Sequence, residues 1–314
     1  MFQNVLRRDF MAFLGGGAMA LGFGSPASAA TTIRLGSTPQ PGPAGCFVAA
    51  DTGIFAANGI SYEHLLIGLD PNVPPALLAG SIDIGVCTVS TILQAAENGL
   101  DIVIVGGAAV SNKNKPDYGI VVRKGGGVSR VEDLAGKTIG VPGLGAVFDV
   151  ILRAWLSQKG IDVKKVKIVE ATFPTQLDQI KAGTLDAAIS SIPFMTNIIN
   201  SGVGEILALL PAELPDNLPL NLYVTKREWA QNNSELLAAF RKSMKEGVSK
   251  GQADPTQLRA SIGKYLKLTP EVLANFGLPT LSPEISEVGF NWWMAEMKRQ
   301  GRISKIAVAD VIWP

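Results

Sequence analysis

Residues 79–90, AGSIDIGVCTVS, form the stretch from which the fold can be predicted. They predict the end of a helix, a tight glycine turn and a short buried strand over Ile82–Val86, after which the small polar residues 87–90 begin a second helix. The same order of residue types recurs at 182–193, AGTLDAAISSIP, where the Ala-Gly pair and the hydrophobic-Asp pair keep their spacing. Such a recurrence predicts two copies of one α/β unit, and therefore two similar lobes. Chance similarity between βα motifs is the alternative explanation.

The composition is that of a well-packed globular protein long enough for two domains. The chain has 314 residues, of which 47% are hydrophobic and 18% are charged. Its formal net charge is +1 and no basic block stands out, so we expect no nucleic-acid partner. Two cysteines, Cys46 and Cys87, and one histidine, His64, are too few for a structural zinc site. We therefore predict no metal, no cofactor and no catalytic residue, with His64 an exposed polar residue beside a strand.

Residues 1–29 have the pattern of an export signal. Arg7 and Arg8 precede an apolar run over Ala12–Phe23 that is broken by glycines, and residues 27–29, ASA, supply small residues for a cleavage site. The paired arginines resemble a twin-arginine signal, and a general secretory signal is the alternative. A permanent anchor is disfavoured because a membrane span needs about 20 apolar residues. We expect a periplasmic protein, cleaved after about Ala29, whose mature chain carries equal numbers of acidic and basic residues.

The remaining chain alternates predicted strands and helices, which implies parallel sheets with right-handed crossovers. After Gly202 we expect a loop-like segment up to Leu220, and near the C-terminus we expect Trp292, Trp293 and Met297 to pack against the first lobe. An exposed docking surface is the alternative for that face. The predicted strands are Thr32–Gly36, Ser61–Ile67, Ile82–Val86, Asp101–Val110, Tyr118–Arg123, Lys137–Val141, Lys165–Val169 and Leu220–Val224, and the predicted helices are Ala44–Phe55, Pro71–Leu78, Val131–Leu134, Val147–Lys159, Thr175–Lys181, Phe194–Gly202, Glu235–Gly247, Asp254–Leu266, a short one from Thr269 and Ser282–Gly301.

Four motifs in a fixed order carry a resemblance to a known family. They are ADTGIF with NGI at 50–60, AGSIDIG at 79–85, DLAGKTIGV at 133–141 and AGTLDA at 182–187. Together they resemble the periplasmic substrate-binding proteins of ABC importers, and within these the branch that binds nitrate, sulfonates, taurine and thiamine pyrimidine. Each motif alone is weak, and the specificity of the resemblance comes from the ordered set.

The resemblance implies an α/β, two-lobed type II periplasmic-binding-protein fold, in which each lobe is a mostly parallel sheet flanked by helices and further helices follow at the C-terminus. We expect the first lobe to comprise residues 30–118 and 218–314, and the second lobe residues 119–217. The lobes would close over a small-molecule ligand. The protein would then act as a monomer that delivers its ligand to an ABC permease in the inner membrane.

Candidate ligand-binding residues lie where predicted strands end. In open α/β sheets, ligands bind beyond the carboxyl ends of the strands, near the N-termini of helices. At these positions the sequence has mostly small polar and apolar side chains. The candidates are Thr38, Gln40, Cys46, Phe47, Asp70, Thr88, Val89, Ser90, Gly145, Ala146, Val147, Phe173, Ser190, Ser191 and Phe194.

The character of these loops predicts the kind of ligand. They contain one acid, Asp70, several aromatic and apolar side chains, and no arginine or lysine. Proteins usually recognise strong anions with arginine side chains that form paired hydrogen bonds. We therefore expect a small organic ligand with an apolar or aromatic body and few polar groups. The alternative is that the aromatic residues belong to the core and the pocket is polar.

Three questions remain open at the level of sequence. Cys46 and Cys87 both follow predicted strands, and we expect two free thiols lining the cleft, with a disulfide as the alternative. Relatives of this branch include proteins that make a thiamine pyrimidine, so an enzyme of that or a related cofactor synthesis is the alternative to a transport protein. A ligand-sensing domain is a third possibility.

Overall fold

The structure is a computed structural model that describes residues 31–314, and the export signal predicted at 1–29 lies outside the described residues. Strands in this part of the chain are mostly short and alternate with helices. They are β1 Thr31–Ser37, β2 Ile60–Leu66, β3 Ile84–Thr88, β4 Ile102–Val110, β5 Tyr118–Arg123, β6 Thr138–Val141, β7 Lys167–Glu170, β8 Ala187–Ser191, β9 Gly204–Leu209, β10 Pro219–Lys226 and β11 Thr280–Leu281.

Helices flank these strands and fill the C-terminal part of the chain. No helix within residues 31–314 is both long enough and apolar enough to span a membrane. The helices are α1 Ala44–Asp51, α2 Ile54–Ala57, α3 Val73–Leu78, α4 Val89–Glu97, α5 Val147–Gln158, α6 Phe173–Ala182, α7 Phe194–Asn200, α8 Arg227–Asn232, α9 Ser234–Ala253, α10 Pro255–Leu266, α11 Pro270–Asn275, α12 Glu287–Arg299 and α13 Val308–Val311.

The strands form two mixed sheets with matching strand orders. The first sheet runs β2-β1-β3-β10-β4-β11, and the second runs β7-β6-β8-β5-β9. In each sheet the first three strands are parallel, and the fourth is antiparallel to the strands on both its sides. This fourth strand, β10 or β5, is reached each time by a chain segment that crosses over from the other sheet. The two-lobed α/β fold expected from the sequence is therefore confirmed.

The two crossing segments, residues 111–117 and 210–218, lie side by side. The Ser111 N–H donates to the Leu218 carbonyl at 2.9 Å, and the Leu218 N–H donates to Ser111 Oγ at 3.0 Å. Both residues are buried. The lobes are therefore joined by a pair of segments that are hydrogen-bonded to each other.

The repeated sequence pattern has one structural role in both sheets. Asp83 accepts the Arg34 N–H of β1 at 2.9 Å, and Asp186 accepts the Thr138 N–H of β6 at 2.9 Å. The glycine of each repeat has a positive φ, +68° at Gly80 and +74° at Gly183, which favours glycine because it lacks a Cβ. Each copy thus turns sharply out of a helix and then ties the next strand to its parallel neighbour.

The C-terminal helix α12 packs against α4 of the first sheet and α5 of the second. Trp293 and Met297 are completely buried there, while Trp292 is half-buried, with its ring plane nearly perpendicular to that of Trp293. The expectation of a packed face is correct, but its extent was underestimated, because the helix touches both lobes instead of the first alone.

Three other sequence expectations are wrong in detail. The helix expected over 44–55 is interrupted at Gly53, whose φ of +75° is incompatible with a continuous helix. The segment expected to be loop-like after Gly202 contains β9, an edge strand paired with β5. Residues 204–209 lack clear alternation, and their pairing partner lies far away in the sequence. The helix expected over Ser282–Gly301 begins only at Glu287, and a further short helix, α13, follows it.

Candidate functional site

A cavity of about 1060 Å³, here called the main cavity, opens between the carboxyl ends of the parallel strands of the two sheets. Loops after all six parallel strands contribute to its wall, as expected for an open α/β sheet. From the loops and helices of the first sheet, its lining includes Thr38, Gln40, Leu69, Asp70, Thr88, Thr91 and Gln94. From those of the second sheet it includes Leu144, Gly145, Ala146, Val147, Phe148, Glu170, Phe173 and Phe194. Leu220 and Asn221 of β10 complete the wall.

A second space of about 220 Å³, here called the side cavity, adjoins the main cavity. Gln40, Phe148, Phe173, Phe194 and Asn221 line both spaces. The side cavity is completed by the end of the first crossing segment, by the end of β8 and by the C-terminal region, with Asp117, Tyr118, Ser191, Ile192, Phe276 and Thr280 among its wall residues.

Four aromatic rings, here called the aromatic row, follow one another along the second lobe. The ring centroids of Tyr118 and Phe148 are 5.1 Å apart, and those of Phe148 and Phe173 are 5.8 Å apart. Phe173 and Phe194 stack with 5.4 Å between centroids and 8° between ring planes. The three phenylalanines lie in the first turns of α5, α6 and α7, and helix starts after parallel strands face this edge of the sheet. The three phenylalanines offer apolar area to a ligand, and all three line both cavities.

Acidic side chains of the protein already occupy backbone N–H groups around the main cavity. Asp70 accepts from the Thr88 N–H at 3.1 Å and from Thr88 Oγ1 at 2.7 Å, at the start of α4. Glu170 accepts the Leu144 N–H at 3.4 Å, in the loop before α5. Helix starts commonly bind anionic ligands through such free N–H groups. Here the Thr88 and Leu144 N–H groups donate to carboxylates of the chain itself.

The start of α5 is held in the same way by a buried carboxylate. Asp149 accepts the Gly145 N–H at 2.8 Å and is paired with Arg153 at 2.7 Å and with Arg302 at 2.6 Å. Both arginines are therefore committed to Asp149, and neither lines a cavity. Among the described residues that line the two cavities there is no lysine, arginine or histidine. The walls of the site are mostly apolar, and the charged side chains in them are all acidic.

Comparison with known proteins was made at the level of family and of fold. A family model described as NMT1/THI5 like matches residues 40–258. This chain belongs to the NMT1/THI5-like family. No curated protein matches the sequence. The family match spans both sheets and confirms the resemblance found in the four ordered motifs.

Solved structures show that this NMT1/THI5-like chain shares the fold of periplasmic binding proteins. The periplasmic aliphatic sulphonate-binding protein SsuA of Escherichia coli matches with a TM-score of 0.75 and 20% identity, over 90% of this chain and 97% of that one. The alkanesulfonate-binding SsuA of Xanthomonas axonopodis pv. citri, bound to MOPS, gives 0.72 and 18%, over 90% and 98%. The nitrate-binding protein NrtA of Synechocystis PCC 6803 gives 0.68 and 15%, over 89% and 84%. At these identities the likeness establishes the fold alone.

Ten of the fifteen predicted ligand-binding residues of this family member line one or both cavities. Their positions follow from the strand-to-helix loops in which the sequence placed them, so the topology alone was enough to bring them together. They are Thr38, Gln40, Asp70, Thr88, Gly145, Ala146, Val147, Phe173, Ser191 and Phe194.

The other five predicted residues do not reach a cavity, because their side chains are completely buried in the cores below it. Phe47 stacks on Tyr265 with 4.5 Å between centroids, on the side of α1 that packs against α9 and α10. Ser190 lies in β8, where successive side chains point to opposite faces, so that Ser191 faces the side cavity and Ser190 does not. The five are Cys46, Phe47, Val89, Ser90 and Ser190, each with 0% exposure.

The two cysteines are free but do not line the cleft, contrary to the sequence expectation. Cys46 is buried and donates its Sγ–H to Tyr223 Oη at 3.2 Å, and Cys87 is buried in β3. Burial raises the pKa of Cys46 to about 12. His64 is also placed differently from expectation. It lies on β2, half-buried, with Nε2 2.9 Å from Ser37 Oγ, and outside both cavity walls.

Sequence reasoning missed several wall residues. Phe148 follows the predicted Val147 directly and could have been included as a first-turn residue of α5. Asp117 lies at the end of the first crossing segment, and Asn221 lies on β10. No local motif marks a ligand contact at either position, and only the tertiary structure brings the two residues to the cavity. Within the described residues, no group of three or more histidine, cysteine, aspartate or glutamate side chains is arranged for a metal ion.

Proposed function

We propose that this NMT1/THI5-like protein is an extracytoplasmic solute-binding protein, which holds a small organic ligand between its two lobes and delivers it to an ABC-type importer. We further propose that residues 30–118 and 218–314 form one lobe, that residues 119–217 form the other, and that the signal at 1–29 directs export. It includes a monomeric protein in the periplasm, without enzymatic activity, that docks on an inner-membrane permease. Its fold relatives named above are themselves periplasmic binding proteins.

The observation that carries the proposal is the main cavity, built from the carboxyl-end loops of both sheets. A ligand that contacts both lobes binds the closed arrangement more tightly than the open one, and this difference in affinity is what drives closure. A permease can then distinguish loaded from empty protein by shape. Neither the enzyme alternative nor the ligand-sensing alternative is favoured by a specific observation.

The walls of the cavities support an uncharged or cationic ligand with an apolar body. The aromatic row provides apolar area, and basic side chains are absent from the described wall residues. Sulfonate and nitrate, which the fold relatives bind according to their names, are strong anions. Asp70 and Glu170 also place two carboxylates in the cavity wall, on the Thr88 and Leu144 N–H groups, so the same ligands fit this site poorly.

Native mass spectrometry of the purified mature protein tests the proposal. We expect a bound small molecule that is released on denaturation, because a closed trap retains its ligand. Phe194 lines both cavities, and losing a well-packed phenylalanine costs on the order of 3 kcal/mol, or about a hundredfold in affinity. Phe194→Ala should therefore strongly reduce the bound fraction.

Ile206→Ala is the matched control, since Ile206 is exposed on the edge strand β9 and lies outside both cavities. This variant should retain the ligand at wild-type occupancy. Wild-type occupancy in folded Phe194→Ala would show that the binding site lies elsewhere and would contradict the proposal.

A further inference from the structure

Asp117 belongs to the wall of the side cavity, and one of its two carboxylate oxygens has no hydrogen-bond partner in the part of the chain that the structure describes. It ends the first crossing segment, and its backbone carbonyl accepts the Ile192 N–H at 2.8 Å, which fixes its position at the cavity wall. Its Oδ1 atom is buried without a hydrogen-bond partner among the described residues. Burying a charged or polar group without a partner is costly, so such a group marks a place where a partner is expected.

The charges around Asp117 do not neutralise it. Within residues 31–314 no basic side chain lies within 4 Å of its carboxylate. Burial raises the pKa of Asp117, while a hydrogen bond from its own backbone N–H and the charge of the exposed Lys115 lower it only in part. A positive charge from outside the protein would complete the site.

The surroundings of Asp117 suit an organic cation. The aromatic row begins at the neighbouring Tyr118 and continues through Phe148, Phe173 and Phe194 along the wall that the two cavities share. Aromatic ring faces attract cations, and a carboxylate beside such rings adds a charged hydrogen-bond acceptor. The same rings give apolar contact to the rest of the molecule.

We propose that the ligand carries a positively charged nitrogen of the ammonium type, which binds to Asp117 in the side cavity while its apolar body lies along the aromatic row. The inference rests on the proposed function, because it assumes that the cleft binds a solute. It goes further by naming the charge of the ligand and the residue that recognises it. The buried Nε2 of Gln40, which also lacks a partner, can donate to a neutral oxygen of the same ligand.

Three probes with one phenylethyl body test the charge preference. These are 2-phenylethylammonium, the neutral 2-phenylethanol and the anionic 3-phenylpropanoate, titrated at millimolar concentrations against the mature protein by calorimetry and thermal unfolding. We expect the ammonium to bind at least about tenfold more tightly than the other two, since a hydrogen bond to a charged group strengthens binding by this order.

Asp117→Asn is the decisive variant, because asparagine has nearly the same shape and Asp117 makes its structural hydrogen bond through the backbone. We expect this variant to lose the preference for the ammonium while it still binds the alcohol. Asp178→Asn is the control for net charge, since Asp178 is exposed on α6 and lies outside both cavities. It should behave as wild type.

Two results would overturn the inference. One is wild-type protein that binds the alcohol or the propanoate as tightly as the ammonium, or that does not bind the ammonium at all. The other is a preference for the ammonium that persists in Asp117→Asn. The proposed function fails separately: it stands if Phe173→Ala abolishes binding of whichever probe binds, and it fails if no molecule, co-purified or added, binds in the cleft.

Discussion

At the scale of the residue, burial separates wall residues from core residues that lie next to them in the chain. Ser190 and Ser191 are consecutive, yet the first is completely buried and the second lines the side cavity. Thr88 lines the main cavity, but its hydroxyl is already donated to Asp70. We therefore expect Thr88 to position the acid and the loop, and the phenylalanine rings to contact the ligand.

The cysteines provide a prediction at this scale. Because Cys46 and Cys87 are buried and burial raises the pKa of both thiols, neither should react with Ellman's reagent in the folded protein near neutral pH. In denaturant without reductant, two thiols should react. A reduced sample serves as the reference for complete reaction. Absence of free thiols in denaturant would reveal a disulfide, and rapid reaction in the folded state would contradict the burial.

At the scale of the element, the repeated Asp of the two α/β units ties parallel strands together. Asp186 accepts the Thr138 N–H and lies 3.8 Å from Arg123, while Asp83 accepts the Arg34 N–H and also holds the Arg34 guanidinium at 2.6 Å. The motif thus has a structural function in each sheet. Neither Asp83 nor Asp186 lines the main or the side cavity, so we expect neither to contact the ligand.

Replacing these aspartates should destabilise the protein. Asp186→Ala leaves the Thr138 N–H without its acceptor, and the loss of a hydrogen bond to a charged group costs about 1.5–3 kcal/mol. Asp83→Ala should lower the free energy of unfolding by more, because the Arg34 side chain loses its partner as well. Urea unfolding measures the effect, with the exposed Asp178→Ala as control. An Asp186→Ala protein as stable as the control would contradict this role.

A second element-scale feature fastens the C-terminal segment to α4. Glu97 Oε1 accepts from the Ser304 N–H at 2.9 Å and from Ser304 Oγ at 2.8 Å, and its Oε2 accepts the Lys305 N–H at 3.0 Å and the Ile306 N–H at 3.2 Å. Burial acts to raise the pKa of Glu97, but these hydrogen bonds outweigh it and lower the pKa to about 2.

The lowered pKa of Glu97 makes stability depend on acid pH. A carboxyl whose pKa is lower in the folded state stabilises that state above its unfolded value of 4.5, and the contribution is lost as the pH falls toward about 2. The melting temperature should therefore decrease over this window. In Glu97→Gln it should start lower at neutral pH and decrease less on acidification. Parallel curves for the two proteins would rule out the contribution of Glu97.

At the scale of the whole molecule, the two lobes are linked by more than the crossing segments. Gln94 Nε2 of α4 donates to the Gly145 carbonyl at 3.1 Å, and α12 packs against helices of both lobes. Relative movement of the lobes is therefore expected to change these contacts as well as the crossing segments.

Ligand binding should make the molecule more compact. Small-angle scattering of protein with its co-purified ligand, compared with protein freed of ligand by unfolding and refolding, should show a smaller radius of gyration in the loaded state. Phe194→Ala, which binds weakly, should give the larger value in both preparations. Identical scattering of loaded and empty wild type, with the ligand demonstrated by native mass spectrometry, would exclude closure as the response to binding.

The sequence by itself determined the class of fold and the edge of the sheets where the site lies. Short apolar runs, glycine turns and the repeated Asp are local signals, and their order specifies strand, helix and return. From this order, ten of fifteen predicted residues were placed on the cavity walls. The edge strand β9 was not predicted, because its pairing with β5 is long-range and its residues do not alternate clearly.

Only the tertiary structure decided which side chains face the ligand. Residues 44–49 of α1 are all buried because the sheet covers one side of the helix and α9 and α10 cover others, so Cys46 and Phe47 could not be separated from wall residues by periodicity. Asp117 reaches the side cavity because the chain crosses between the sheets there. Local sequence encodes the direction of the chain and its average burial, whereas the exposure of one face to a cleft depends on elements that are distant in the sequence.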